Sequence, residues 1–208
     1  MTNHLYKGDL PAGLDLGPMV AVDCETMGLN LVRDRLCLIQ LSSGDGNAHL
    51  VQFPRDAEAP FHAPNLAALL ADSRVLKLFH FGRFDLAAIE RYLGVMCAPV
   101  YCTKIASKLC RTFTDRHSLK ELVRELLGVD LSKAQQTSDW GAADLTAEQL
   151  NYAASDVLYL HGLKAKLDAM LAREGRTDIA EACFRFLPHR ARLDLLGWGD
   201  EADIFSHH

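Results

Sequence analysis

The first half of the chain alternates short apolar runs with stretches dense in glycine, proline and polar residues, and the second half changes to an amphipathic pattern of helical period. Met19-Val20-Ala21-Val22 is a solid apolar run that reads as a buried strand. Arg35 to Ser43, with Leu-Cys-Leu-Ile-Gln-Leu at its centre, reads as a second strand, and Ala48 to Phe53 as a third. The turn formers Ser43-Gly44-Asp45-Gly46-Asn47 between them predict a hairpin. Pro54 to Pro64 reads as loop, Asn65 to Leu70 as a short amphipathic helix, and Val75 to Phe79 as a further strand. Asp85 to Leu93 is helical and stops at Gly94, Val100 to Cys102 is a short strand, and Thr103 to Leu109 a helix. Ser118 with Glu121 forms a capping box for a helix running to Leu127, with Gly128 as its terminator. Thr146 with Gln149 repeats the capping box and opens what reads as the longest helix, to about Arg173. Strands early, helices late and a strand–helix–strand unit between them predict an α/β fold: a mixed sheet flanked by α-helices.

Acidic residues fall at informative places in that pattern. Asp23 and Glu25 follow the first apolar run and, two apart in a strand, project from one face at its end. Asp85 sits in the first turn of a helix that follows another strand. Tyr152 and Asp156 are i and i+4 and share one helix face. Four carboxylates gathered from separate elements repel one another unless cations hold them. Two divalent ions about 3.5–4 Å apart are the usual solution in enzymes that cut phosphodiesters, lowering the pKa of the attacking water and stabilising charge on the leaving oxygen. Asp23 is expected to serve both ions, Glu25 and Asp156 to complete one site each, and Asp85 to act directly or through water. A phenol with pKa near 10 is a poor base at neutral pH, so Tyr152 is read as positioning the attacking water.

Length and charge narrow the class. The 208 residues suit one domain, with a C-terminal extension from about residue 174. The net charge of −5 argues against a protein that grips long nucleic acid through nonspecific phosphate contacts and favours a small, shaped pocket. No apolar run approaches the roughly 20 residues needed to span a bilayer, and Met1 to Lys7 lacks the apolar core of a signal peptide. Six cysteines without paired metal-binding spacing read as reduced, buried thiols of a cytoplasmic protein. There is no glycine-rich phosphate loop and no dinucleotide fingerprint.

Asp-x-Glu on a first strand, a mid-chain Asp and Tyr-x-x-x-Asp on a late helix resemble the tyrosine branch of the DEDD 3′→5′ exonucleases, which includes ribonuclease D. His80-Phe81-Gly82-Arg83-Phe84-Asp85, Cys102 to Leu109, Thr114-Asp115-Arg116-His117, Ser138-Asp139-Trp140 and the tail from Phe186 to Trp198 further resemble the short bacterial nanoRNase C group. The resemblance covers roughly Gly8 to Ser206. It implies a ribonuclease-H-like fold, two Mg²⁺ or Mn²⁺ ions, and hydrolysis of short single-stranded RNA, down to diribonucleotides, to 5′-mononucleotides. A broader exonuclease that trims longer RNA or DNA ends, and a noncatalytic nucleic-acid-binding module, are the rival readings.

The same resemblance assigns substrate contacts. Leu29 is expected to wedge between the last two bases, or else to pack on the core. Thr26 is expected to bond the terminal sugar hydroxyl, and His80 to contact substrate or phosphate, or to be a structural hydrogen-bonder. Lys104, Lys108, Arg111, Arg116 and His117 form the densest basic grouping, either a solvated helix face or a cap for a 5′ phosphate. Phe81, Phe84 and Trp140 are candidates for base stacking or for core. The tail, rich in large apolar residues from Phe184 to Phe205, predicts either a fold-back onto the core or a homo-oligomer interface. The nanoRNase C resemblance implies a ring-like octamer. The terminal His207-His208 reads equally as native sequence or as the remnant of a purification tag.

Overall fold

A computed structural model of the chain describes residues 2–31, 33–131, 137–199 and 204. Phe205, His207 and His208 lie outside the described residues. Six strands form one mixed sheet in the order β1-β4-β3-β2-β5-β6: β1 (Asn3–Lys7), β2 (Met19–Thr26), β3 (Leu36–Ser42), β4 (Ala48–Gln52), β5 (Leu76–Phe79) and β6 (Val100–Cys102). The expected hairpin is β3–β4, antiparallel, and β2 joins β3 antiparallel. On the other side β5 runs parallel to β2, and β6 parallel to β5, as the strand–helix–strand pattern requires. Every residue of β3 is buried, which explains why its sequence is nearly continuous apolar instead of alternating. Strand β1 pairs parallel with β4 at the sheet's edge. Its alternation of polar and apolar residues over five positions is too short to have been read as a strand.

The helices are α1 (Pro64–Ala71), α2 (Arg83–Leu93), α3 (Thr103–Cys110), α4 (Leu119–Leu122, continuing as a π-helical turn over Val123–Leu127), α5 (Ala147–Leu158), α6 (Leu160–Arg173) and α7 (Thr177–Leu195). Gly94 and Gly128 end their helices in the left-handed conformation, as expected. The Thr146–Gln149 capping box is formed in both directions. The long helix it opens is not continuous, however. It breaks at Tyr159 into α5 and α6, and the longest helix is α7, inside the segment read as a tail. The break frees α5 to lie across β2, β3 and β4, while α6 turns toward α3 and β5.

The tail both folds back and stays exposed. Phe184 and Leu187 are buried, with Phe184 tilted on Tyr101 at 4.5 Å between ring centroids, and α7 packs along α2. Ile179, Phe186, Leu196, Trp198 and Ile204 remain on the outside. Asp194 near the C-terminal end of α7 is clasped by Arg83 (2.6 Å) and Arg190 (2.9 Å), locking α7 to the start of α2. Five cysteines are buried, Cys183 is partly exposed, and all six are free thiols. Among the described residues no helix is long and apolar enough to cross a membrane.

Candidate active site

The sheet order brings the acidic residues together. Asp23 and Glu25 alternate onto one face at the end of β2, and α5 crosses that part of the sheet carrying Asp156. One carboxylate oxygen each from Asp23, Glu25 and Asp156 lies within 4.8 Å of the others. Asp85 stands beside this triangle, outside it. Its Oδ1 accepts the backbone N–H of Cys24 at 3.0 Å, so it is fixed to the residue between Asp23 and Glu25. That placement fits action through water better than direct ligation.

Burial pushes all four carboxyls up, and repulsion from neighbouring carboxylates adds to it at Asp23, Glu25 and Asp85. The Asp23 carboxyl is raised well above the usual range by burial and by Asp85, Asp156 and Glu25. Burial, with Asp156 and Asp85 nearby, lifts Glu25 to about 9. Burial raises Asp85 to about 7 against opposing hydrogen bonds from its own backbone and from Cys24, with Asp156 adding repulsion, and burial raises Asp156 to about 7. Groups so reluctant to ionise together are a set of hard oxygen donors that a divalent cation fits: it supplies the charge each lacks.

Tyr152 is half-buried on the same face of α5, one turn before Asp156, with its ring 6.1 Å from Trp140. Burial and then Asp156, Glu25 and Asp23 push its phenol up, away from the ionised form. A hydroxyl that keeps its proton at neutral pH is a hydrogen-bonding group and a poor base. Trp140 is buried, so its role is to back Tyr152, and the loop bearing it lies at the rim: Gly141 abuts the Met27 side chain so closely that a Cβ would collide. Gln149 Nε2 holds that loop through Ser138 Oγ and the Asp139 carbonyl, each at 3.1 Å.

Substrate-side expectations divide. Leu29 is 86 % exposed, so it is no core residue. Its loop is stapled by buried Asp34, which accepts from the Asn30 N–H at 2.9 Å and leaves no room for a side chain on Gly28. The Thr26 hydroxyl donates to the Gly28 carbonyl and is engaged within the loop. His80 shares a hydrogen bond with Thr103 Oγ1 at 2.9 Å, and burial with Lys104 nearby depresses it to about 3, so it is neutral. Lys104 Nζ lies 4.3 Å over the ring of Phe81, itself half exposed at a φ of 64° that side chains rarely adopt. Phe84 is half-buried. Arg111 departs from the expectation. It is buried, with its guanidinium engaged by Glu125, by the Arg116 carbonyl at 2.9 Å and by Ser107 Oγ at 3.2 Å, and it braces the loop after α3 instead of presenting a free cation. A count of basic residues along a helix does not show which one turns inward, and here it is Arg111.

Gln40 was not anticipated. It faces Asp23 across the β2–β3 pair and donates from Nε2 to Asp23 Oδ2 at 3.3 Å. The available signal was a lone amide inside Leu36 to Leu41.

A mixed sheet of this order with a partly buried carboxylate set at the end of its second strand defines a nuclease-like class, and the comparisons agree: residues 9–172 match the 3′-5′ exonuclease family. The chain belongs to that family. It is 36 % identical over 161 residues to the ribonuclease D of Acidiphilium cryptum, 77 % of this chain and 40 % of that one. It thus spans about two fifths of the length of the curated relatives it first matches. Among solved structures, it is similar over the full length of both chains to NrnC, a nanoRNase C, from Brucella melitensis with bound Mg²⁺ (54 % identity, TM-score 0.93). The same protein bound to pGG matches at 55 % identity and TM-score 0.94, again over 100 % of both chains. Escherichia coli RNase D, 29 % identical, matches with a TM-score of 0.72 over 84 % of this chain and 45 % of its own.

Proposed function

We propose that this chain is a metal-dependent 3′→5′ exoribonuclease that cuts short single-stranded RNA, down to and including diribonucleotides, to 5′-mononucleotides. The observation that carries the reading is the triangle of Asp23, Glu25 and Asp156 oxygens within 4.8 Å, with Asp85 pinned beside it. Asp23, Glu25 and Asp156, with Asp85 beside them, would hold two divalent ions, Mg²⁺ or Mn²⁺, which when bound would make a water nucleophilic at neutral pH and offset charge on the leaving oxygen. Tyr152 and Asp85 orient the water for attack on phosphorus. The P–O3′ bond to the preceding nucleotide then breaks, and that nucleotide leaves with a free 3′ hydroxyl. Leu29, standing out of the stapled loop, reaches between the bases, and His80 and Lys104 line the approach; Thr26 meets the terminal sugar if its loop bond is exchanged.

The similarity to an NrnC bound to pGG and the net charge of −5 support short substrates over long ones. Product analysis on 5′-labelled RNAs of increasing length, with Mg²⁺ and Mn²⁺ compared and EDTA as control, tests this. Rapid conversion of dinucleotides with slow attack on longer chains is expected. Equal turnover of long RNA or DNA ends would replace the reading by that of a broad exonuclease, and full activity in EDTA would remove the metals. The exposed apolar residues of α7 and the segment after it support a homo-oligomer, with an octamer the state to look for in the cytoplasm. Light scattering that returns the mass of one chain would overturn that assignment and leave the chemistry standing.

A further inference from the structure

Strand β3 is covered on both faces, and Gln40 is the polar interruption in its apolar centre, with no exposed surface. Burying a primary amide without full hydrogen bonding is unfavourable, so a purely structural strand would carry leucine here. Gln40 lies directly opposite Asp23 in the antiparallel register, so the two side chains share a face as a cross-strand pair. Its Nε2 donates to Asp23 Oδ2 at 3.3 Å. Its Oε1 is buried and has no hydrogen-bond partner among the described residues. The buried indole N–H of Trp140, behind Tyr152, is in the same condition. An acceptor without a partner thus lies across the strand pair from Asp23, and a donor without one lies behind Tyr152.

We infer that Gln40 is a positioning residue for the cation-binding carboxylates: its amide N–H fixes the rotation of Asp23, and its carbonyl oxygen is held for a water that accompanies a bound divalent ion. This rests on the metal-dependent reading above. The orientation of the amide follows from chemistry. With a cation bound and Asp23 therefore ionised, Oε1 turned the other way would meet a carboxylate oxygen with no proton between them. With nitrogen toward Asp23, the carbonyl is left to accept, and the hydration shell of a bound cation is a source of strong O–H donors. Partners of metal ligands that set ligand orientation in this way typically alter metal affinity or activity by about 10–100-fold when removed.

The test uses the full chain and Mn²⁺ alone as ligand. Gln40→Leu keeps volume and removes both polar ends, and Gln40→Met repeats the change with a more adaptable side chain. Expected is a melting temperature without metal equal to or above that of the parent, with a Mn²⁺ dissociation constant by titration calorimetry raised about 10–100-fold. The Mn²⁺ concentration for half-maximal hydrolysis should move with it, and turnover should return at saturating Mn²⁺. Unchanged Mn²⁺ affinity in a folded variant overturns the inference, as does a lowered melting temperature with the affinity intact, or failure of both variants to fold. A parent protein that takes up no Mn²⁺ at the carboxylates sinks the metal-dependent reading itself, a result distinct from a parent that binds and a variant that binds equally well.

Discussion

Charge is sequestered twice in this molecule, in opposite ways. At the end of β2, four carboxylates are gathered with no cationic partner among the described residues, and each is pushed toward its protonated form. At the α2–α7 junction, Asp194 is equally enclosed, at 12 % side-chain exposure, but two arginines grip it. The second site is complete within the chain and holds one helix to another. The first is internally unfavourable as it stands and becomes favourable only with added positive charge. Burial of acidic groups therefore marks function here only where compensation is missing.

The contrast can be broken most severely at the cluster. Asp156→Ala should cut turnover roughly 10³-fold or more, because a cation loses an anchor. The same change should raise the melting temperature of the metal-free protein by relieving repulsion. Asp194→Ala should do the reverse, costing about 3 kcal/mol of stability by stranding two arginines, read by urea unfolding, while Mn²⁺ affinity by calorimetry stays put. If Asp194→Ala weakens Mn²⁺ binding, the two sites are coupled and the contrast fails. Tyr152→Phe should leave both metal affinity and stability in place and slow hydrolysis about 10²-fold, measured as kcat at saturating metal.

A smaller effect concerns pH. The cluster carboxyls bind protons more tightly folded than unfolded, where they titrate near 4. The native state therefore holds the excess protons, and stability of the metal-free protein falls as pH rises from about 4 through the folded values near 7 to 9 for Asp85, Asp156 and Glu25. The rise in melting temperature on adding Mn²⁺ should accordingly be greater at pH 8 than at pH 5; a flat response would show that the groups are not mutually strained. Smallest of all, Leu29→Ala should slow dinucleotide cleavage by about tenfold, the loss of roughly 1.5 kcal/mol of apolar contact, and leave the melting temperature unchanged because the side chain stands in water.

Much of this was legible in the sequence because the informative signals are local. The order of elements from β2 to α5 follows from apolar runs and caps, and the pairing of Asp23 with Glu25 and of Tyr152 with Asp156 follows from strand and helix periods. What escaped depends on tertiary direction. The break at Tyr159 has no proline or glycine to announce it, and α7 carries Pro188 inside, a residue that reads as a stop. Arg111 and Lys108 look alike in the sequence, yet one is enclosed and the other exposed. Gln40 was in plain view, but its meaning required knowing which strand lay opposite.

The delivery of Asp156 by α5 to a strand made far earlier has a consequence for biosynthesis. Residue 23 leaves the ribosome long before residue 156. At about 5–20 residues per second, the intervening stretch takes several seconds or more to translate. A nascent chain in that interval has Asp23 and Glu25 but not their partner, so on the function proposed above it could not yet cleave RNA. On that reading the chain would be synthesised in an inert form beside the messenger and ribosome that produce it, and would become active only once the late helix has emerged and docked.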